Sequence, residues 1–594
     1  MRSSSGRISR QASAVRFFLA LALLALASRA SAGSHPWAAR TLAGMTLEDK
    51  VGQLLMLSVY AGWSKGEMEA TREAIRVYKP GGVIFYGADV KTHLGLANEM
   101  QALSAGPLLV ALDAEWGLGM RLGGSLRFPR NMTLGALSDD GLIRRLGTEI
   151  GRELRLVGVH MNLAPVVDVN SNPNNPVINE RSFGEDPEAV AAKGSAYMLG
   201  LQAGGALACA KHFPGHGDTD VDSHLDLPRI PHPRERFERV ELVPFKKQIK
   251  DGVAAVMIAH LSVPALEPDV ERPVSLSSRV VTGLLRQELG FEGLVVSDSL
   301  AMKAVTKAYP GGRAMVEAIL AGTDILLLGS DDGDIASVLS RELPDGFERI
   351  VDAVKSGALP EAELDRRVLR ILQAKEDLGL DRERFVSVDD LPGRLPTPQA
   401  VELKAVLYRK ALTLVRNEGG LLPLKPGGRL AHLQLGAPPR LRGLRNLFPW
   451  LNRQGGSSPF ARALARRRTF RSYYASARPS AGEIRRLLGA LKGYDSVVVS
   501  LQGMTRKVAS GYGLTQESLE LLAALRAGGT PAALVVFGNP YSLALTGPQT
   551  AVLLAYEDDP EAQTAAAEII AGERAASGRL PVSVSRDFPR GLGL

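Results

Sequence analysis

From Lys211 to His224 the chain reads Lys-His-Phe-Pro-Gly-His-Gly-Asp-Thr-Asp-Val-Asp-Ser-His, so three of its nine histidines and three aspartates fall within 14 residues. Three chemistries are open to such a segment. Histidine and aspartate both ligate metals, although no helix or strand fixes their spacing here and Lys211 would repel a cation; the expectation is that no metal is held. Asp222 and His224, two residues apart, could form an acid–base dyad in which the carboxylate fixes the imidazole tautomer and supports its charged form. The histidines could also simply cap turns, with Gly215 and Gly217 loosening the backbone between them.

Asp298 is the second such residue. It precedes Ser-Leu-Ala-Met-Lys-Ala-Val, and either caps a helix or presents a carboxylate nucleophile at the end of an apolar run. Arg121, Arg181 and Lys211 either pair with surface acids or converge, in which case they supply donors to a polyhydroxylated ligand and hold Asp298 ionised.

Positioning these groups takes a scaffold. Between residues 51 and 329, short apolar, β-branched runs occur at 51–60, 82–86, 108–112, 159–169, 206–210, 254–259, 293–297 and 324–328. They are continuous rather than alternating, as strands buried on both faces read, and amphipathic stretches such as 68–78, 142–157, 187–203 and 233–250 separate several of them. Eight β–α units predict a (β/α)8 barrel, with a doubly wound open sheet as the alternative. In a barrel the reactive groups follow the strands. Asp113 and Glu115 follow the third run, Asn162 and Asp168 lie in the fourth, Lys211 and His212 end the fifth, His260 the sixth and Asp298 the seventh.

A chain of 594 residues exceeds one core. A proline-rich stretch around 381–400 reads as a linker. Beyond it, runs at 430–435, 496–501, 532–537, 551–556 and 580–585 alternate with helices at 399–412, 482–491, 516–526 and 561–571, which predicts a three-layer α/β sandwich over 401–594. The barrel domain is then 33–380. Residues 1–32 carry five arginines, an 11-residue apolar run and Ala30-x-Ala32, the pattern of a cleaved signal peptide rather than a membrane span of about 20 residues. Export to the periplasm or medium follows from it. The formal charge of +8 is uneven: residues 33–400 sum to −10 and 401–594 to +13. An exported chain without a recognition motif is not expected to bind nucleic acid. The basic region either docks on its own barrel or contacts anionic envelope polymers. One cysteine, Cys209, excludes an internal disulfide framework.

The segment Lys211–His224 resembles a signature of the β-N-acetylglucosaminidase branch of glycoside hydrolase family 3. Asp113…Arg121, Arg181-Ser-Phe-Gly, Met257-Ile-Ala-His260 and Ser297-Asp298-Ser-Leu-Ala-Met302 occur in the order that family shows, across roughly residues 45–380. A weaker likeness, Lys410 to Leu424, is similar to the start of its C-terminal sandwich domain. The resemblance implies a retaining exo-hydrolase of terminal β-linked N-acetylglucosamine, in cell-wall fragments or chito-oligosaccharides, that needs no cofactor. It implies Asp298 as the nucleophile of a covalent glycosyl–enzyme intermediate and His224 as general acid/base with Asp222 as its partner. Asp113, Arg121, Arg181, Lys211 and His212 match the groups that bind the sugar hydroxyls. A histidine departs from the usual pair of acids, yet its pKa of about 6.5 suits proton transfer near neutrality.

The chain departs from the family after the first aspartate. Leu118 stands where an arginine is common, and Trp116 enters at what would be the pocket rim, to stack on a sugar or to pack between loops. Three other functions compete: a β-glucosidase of the same family, with an acid from the second domain (Glu517, Glu520 or Glu557); a phosphorylase; and a non-catalytic cell-wall-binding protein.

Overall fold

The computed structural model of the chain describes residues 35–222, 226–329, 335–387, 391, 393–436 and 458–594. Residues 1–32, read above as a signal peptide, and His224 therefore lie outside the described residues.

Eight parallel strands build the first domain: β1 Leu55–Tyr60, β2 Gly82–Tyr86, β3 Leu109–Leu112, β4 Met161–Asn162, β5 Leu207–Phe213, β6 Ala255–Ile258, β7 Leu294–Ser297 and β8 Leu326–Leu328. They neighbour one another in chain order, and β8 pairs back onto β1. The bridge between Val296 and Ile325 brings β7 and β8 together, so the sheet nearly closes on itself. Almost every strand residue is buried, as a barrel lined inside by side chains and covered outside by helices requires. Long helices form that cover, among them the amphipathic Asp140–Leu156 and Pro187–Ala203, which is apolar and buried around much of its circumference rather than amphipathic as the sequence suggests.

Two runs are shorter as strands than their apolar sequence predicts. Residues 51–53 end a helix, Leu47–Gln53, because Thr46 and Asp49 form a capping box that starts a helix there. Of residues 159–169 only Met161 and Asn162 form a regular strand; Val166 adds a single parallel bridge to Lys211, and the rest is buried loop leading to the site.

The second domain is a six-stranded sheet: β9 Thr413–Asn417, β10 Leu430–Gly436, β11 Phe470–Ser476, β12 Ser496–Gln502, β13 Ala532–Val536 and β14 Ala551–Leu554. Its order is β9-β14-β13-β12-β10-β11, parallel throughout except for β9 against β14. Helices Pro398–Ala411, Pro459–Ala465, Ala481–Leu491, Gln516–Ala527 and Pro560–Ala571 accompany it. The predicted strand at 580–585 is absent from the sheet. Pro581 cannot donate to a ladder, and the segment bonds elsewhere: Leu580 N–H donates to Leu592 O (2.8 Å), Val584 N–H to Phe588 O (2.9 Å) and Ser583 N–H to Glu185 Oε2 of the barrel (2.9 Å). Among the described residues no helix is long and apolar enough to cross a membrane.

Candidate active site

The C-terminal ends of the barrel strands surround a cavity of about 190 Å3, lined by Asp113, Glu115, Arg121, Arg181, Lys211, His212, His216 and Asp298 together with Tyr86 and Met302. Six of the eight residues singled out from the sequence thus meet in one place. Asp222 is half-buried and lies outside this lining, and its dyad partner His224 is not among the described residues.

Asp298 follows β7. Its backbone N–H donates to Ile258 O (3.1 Å), which ties it to β6, and its Oδ1 accepts the Ser299 N–H (2.7 Å). No partner holds Oδ2 among the described residues, so one carboxylate oxygen is pinned and the other is left for the cavity. His260 fixes the next turn: its Nε2 donates to Ser299 O (3.0 Å) while Nδ1 and the Ser275 hydroxyl share a hydrogen bond (2.7 Å). Burial pushes the Asp298 carboxyl up, but His260, His212, the Ser299 N–H and Lys211 outweigh it and hold the group below the usual carboxylate range. It is an ionised, desolvated carboxylate.

The remaining charges interlock. Lys211 Nζ reaches Asp113 Oδ1 (2.8 Å) and Glu115 Oε1 (3.2 Å); Arg121 Nη2 donates to Asp113 Oδ2 (2.9 Å). Arg181 grips Glu115 with Nε to Oε2 (3.1 Å) and Nη2 to Oε1 (2.7 Å), the bidentate fork that fixes a guanidinium in plane. Burial opposes the ionised form of Asp113, yet Lys211 and Arg121 keep its pKa well below the ordinary value; for Glu115, Arg181 and Lys211 do the same. Each ion here has its counter-ion, which is what makes burying several charges tolerable.

His212 is oriented from below. Its Nδ1 faces Asp168 Oδ2 at 2.7 Å, and the backbone N–H groups of His212 (3.2 Å) and His216 (2.7 Å) converge on Asp168 Oδ1. Nδ1 therefore donates to Asp168, and Arg181 Nη2, a donor only, faces Nε2 at 3.5 Å. Burial and the neighbouring His212 push His216 down to about 4, which makes it a neutral wall. Gly217 is not a loosening residue: a Cβ there would collide with the carbonyl of Val169, so glycine lets the loop press against the end of the fourth run.

Sequence reasoning placed Glu115 and Asp168 at strand ends and His216 in the histidine-rich segment, but assigned none of them a specific role. Glu115 and Asp168 are acids at strand ends, the signal already used for Asp113, and each is the counter-ion of a group that was nominated. Trp116 is absent from the lining. It is buried and stacks on the Arg130 guanidinium, 3.7 Å from its centroid.

The second domain reaches the site through the 170–184 loop. Asn539 Nδ2 donates to Asn179 Oδ1 (2.6 Å), the Asn170 amide to Tyr541 Oη (2.9 Å), and Arg506 pairs with Glu180 (2.7 Å). Glu557 takes the Arg130 N–H (2.8 Å) and the Thr133 hydroxyl (2.7 Å), which places this nominated acid in the domain seam and outside the cavity lining. Asn179 has φ +38°, a left-handed conformation costly for a residue with a side chain, and stands two positions before Arg181.

The family description "Glycosyl hydrolase family 3 N terminal domain" matches residues 46–374. Beta-hexosaminidase A of Pseudoalteromonas piscicida is 31% identical, over 91% of this chain and 97% of its own length. A beta-N-acetylglucosaminidase/beta-glucosidase of Cellulomonas fimi is also 31% identical, over 69% of this chain and 72% of its own. Among solved structures, a glycoside hydrolase family 3 beta-N-acetylglucosaminidase from Paenibacillus sp. str. FPU-7 superposes with a TM-score of 0.75 at 32% identity, over 91% of this chain and 99% of that one. With a barrel, a sandwich and a strand-end carboxylate arranged as above, this chain belongs to glycoside hydrolase family 3 and is a glycosidase.

Proposed function

We propose that the protein is a retaining exo-β-N-acetylhexosaminidase. The observation that carries the mechanism is Asp298: ionised, fixed through Oδ1, and open through Oδ2 onto a cavity sized for a single sugar residue. In this reading Oδ2 attacks the anomeric carbon and displaces the aglycone oxygen, and a covalent glycosyl–Asp298 ester forms. His224, supported by Asp222, gives its proton to the departing oxygen, then takes one from the water that cleaves the ester. Asp113 accepts from sugar hydroxyls while Lys211 and Arg121 keep it ionised; Arg181, held by Glu115, donates to them, and His212 Nε2 accepts. The acetamido-sugar substrate rests on the names of the relatives at 31–32% identity.

Export of the chain, on the strength of the basic–apolar–Ala30-x-Ala32 start, would set the enzyme against peptidoglycan fragments or chito-oligosaccharides. The excess cations of 401–594 would hold it near anionic envelope polymers.

Turnover of an aryl β-N-acetylglucosaminide against the matching β-glucoside tests the substrate. Faster release from the glucoside would overturn it. Quenching the enzyme with a slow substrate and measuring its intact mass tests the intermediate: wild type gains one sugar mass, Asp298→Ala gains none and is inactive. An adduct that survives Asp298→Ala would reassign the nucleophile.

A further inference from the structure

A larger cavity, about 450 Å3, lies in the second domain. Its walls are the carboxyl ends of β10 (Leu435, Gly436), β11 (Tyr474, Ser476) and β12 (Leu501, Gln502), with Arg478 at the mouth. In the parallel part of this sheet the chain goes from β10 outward to β11, then crosses back to β12 on the other side of β10. The crevice therefore sits where the strand order reverses, outside the carboxyl ends of the strands. That is the position at which open α/β sheets bind ligands, because the loops on either side diverge and leave a gap. A Cβ at Gly436 (φ +114°) would strike the Gln502 carbonyl, so the two strand ends close together at the crevice floor.

Two polar groups define what fits. Gln502 is 5% exposed, and its amide orientation is dictated from behind. Gln563 Nε2 donates to Asp558 Oδ1 (2.5 Å), so Gln563 Oε1 faces the other way, accepting from the Phe460 N–H (2.8 Å) and from Gln502 Nε2 (3.4 Å). Gln502 Oε1 is left as a fixed acceptor with no partner among the described residues, at a wall of the crevice. Arg478, at the mouth, makes no ion pair among the described residues; Glu517 lies within its field without bonding to it. Between acceptor and cation the walls are the apolar side chains of Leu435, Leu501, Met504 and Leu514.

We propose that this crevice is a second ligand site, separate from the glycosidase cavity, for an N-acyl amino acid or a short peptide with a free carboxylate. The ligand amide N–H donates to Gln502 Oε1, its carboxylate pairs with the Arg478 guanidinium, and its apolar side chain lies on Leu501, Met504 and Leu514. Neither a neutral sugar nor inorganic phosphate uses all three features.

The test is calorimetric titration of the full chain with N-acetyl-leucine, with N-acetyl-leucinamide as the neutral control. The acid binds in the millimolar range or tighter, at least ten times more strongly than the amide. Arg478→Gln, at an exposed position, brings the acid down to the affinity of the amide, and Gln502→Met weakens both. N-acetylglucosamine at saturation leaves the binding unchanged. Equal affinity for acid and amide, acid binding untouched by Arg478→Gln, displacement by N-acetylglucosamine, or no heat from the acid at 10 mM would each overturn the proposal, the third by placing the ligand in the barrel.

Discussion

Asn539→Ala changes a residue of the sandwich domain, yet its consequence falls on the cavity of the barrel proposed to bind the sugar. Asn539 Nδ2 donates to Asn179 Oδ1 at 2.6 Å, and the two residues are 4% and 6% exposed. Removing the donor leaves a buried acceptor unsatisfied, at a cost of about 1–3 kcal/mol. Asn179 also holds a left-handed conformation worth about 1–2 kcal/mol against it. Its bonds to Pro173 O and Asn175 O are both 3.3 Å long and belong to its own loop, which leaves Tyr512 as its other side-chain neighbour from the second domain. Without Asn539 the residue relaxes toward negative φ, and Ser182 N–H, which donates to Asn179 O at 3.1 Å, moves with it. Arg181 lies between these two points and must keep its fork on Glu115. If about 1.4 kcal/mol of the loss appears as misplacement of Arg181, kcat/KM on an aryl β-N-acetylglucosaminide falls about tenfold. Tyr541→Phe, which frees Asn170 eleven residues before Arg181, has a smaller effect. The assay pairs steady-state kinetics with denaturant unfolding followed by two probes. A variant whose kcat/KM stays within about twofold of wild type while its unfolding midpoint falls by the expected 1–3 kcal/mol would refute the coupling and reduce Asn539 to a packing residue.

Three further outcomes are expected. His224→Ala slows substrates with poor leaving groups far more than activated aryl glycosides, because acid assistance matters most for the former; equal losses in a leaving-group series would end the acid/base assignment. Glu115→Gln strips a shared counter-ion from Arg181 and Lys211, so stability drops by about 3–5 kcal/mol and kcat/KM collapses with it, as a urea midpoint and kinetics on the same sample would report. Glu153, whose two carboxylate oxygens have no partner among the described residues, is pushed up to about 8 by burial, with Glu149 adding to the rise. A folded-state pKa above the unfolded value of about 4.3 means that this group's contribution is whole below about pH 4.3 and is lost as pH rises to about 8. Glu153→Gln therefore unfolds at a higher temperature than wild type at pH 9 and at nearly the same temperature at pH 4; a constant difference across that range would contradict the burial argument.

Which parts were legible in the sequence follows from how each residue is held. Barrel strands buried on both faces write themselves as apolar runs, so seven of the eight begin and end within a few residues of their predicted bounds, and the loop groups at their ends follow. Strands β9 and β11 leave no such run. Both are edge strands with one neighbour, and residues such as Arg416, Arg471 and Ser472 sit where a central strand would need apolar side chains. Segment 580–585 fails in the opposite sense, apolar enough for a strand, but its N–H groups go to the chain's own C-terminal end (Leu580 to Leu592 O, Val584 to Phe588 O) and, at Ser583, to Glu185 of the barrel. Asp298 and Lys211 could be found because each ends a run. Asn179 and Asn539 could not, since their importance lies in a contact between positions 360 residues apart that neither segment announces.

The uneven charge acquires a physical use from the same seam. Acids of the barrel loop meet arginines of the sandwich: Glu180 with Arg506 at 2.7 Å, and Asp186 with Arg590. Charges of opposite sign on the two domains favour the docked arrangement over an extended one, and Debye screening confines that benefit to charges within about 8–10 Å of the contact. Arg471, Arg485 and Arg486 lie on the β11 edge and the helix Ala481–Leu491, and they make no ion pair among the described residues. The cations therefore divide by position into those paired with the barrel, those paired within their own domain, such as Lys404 with Asp559 and Arg467 with Glu573, and those facing outward. Only the first group bears on the site, because Glu180 is the residue next to Arg181. Raising the ionic strength should thus loosen the seam and lower kcat/KM together, whereas substituting Arg485 and Arg486 should leave catalysis on small aryl glycosides unchanged.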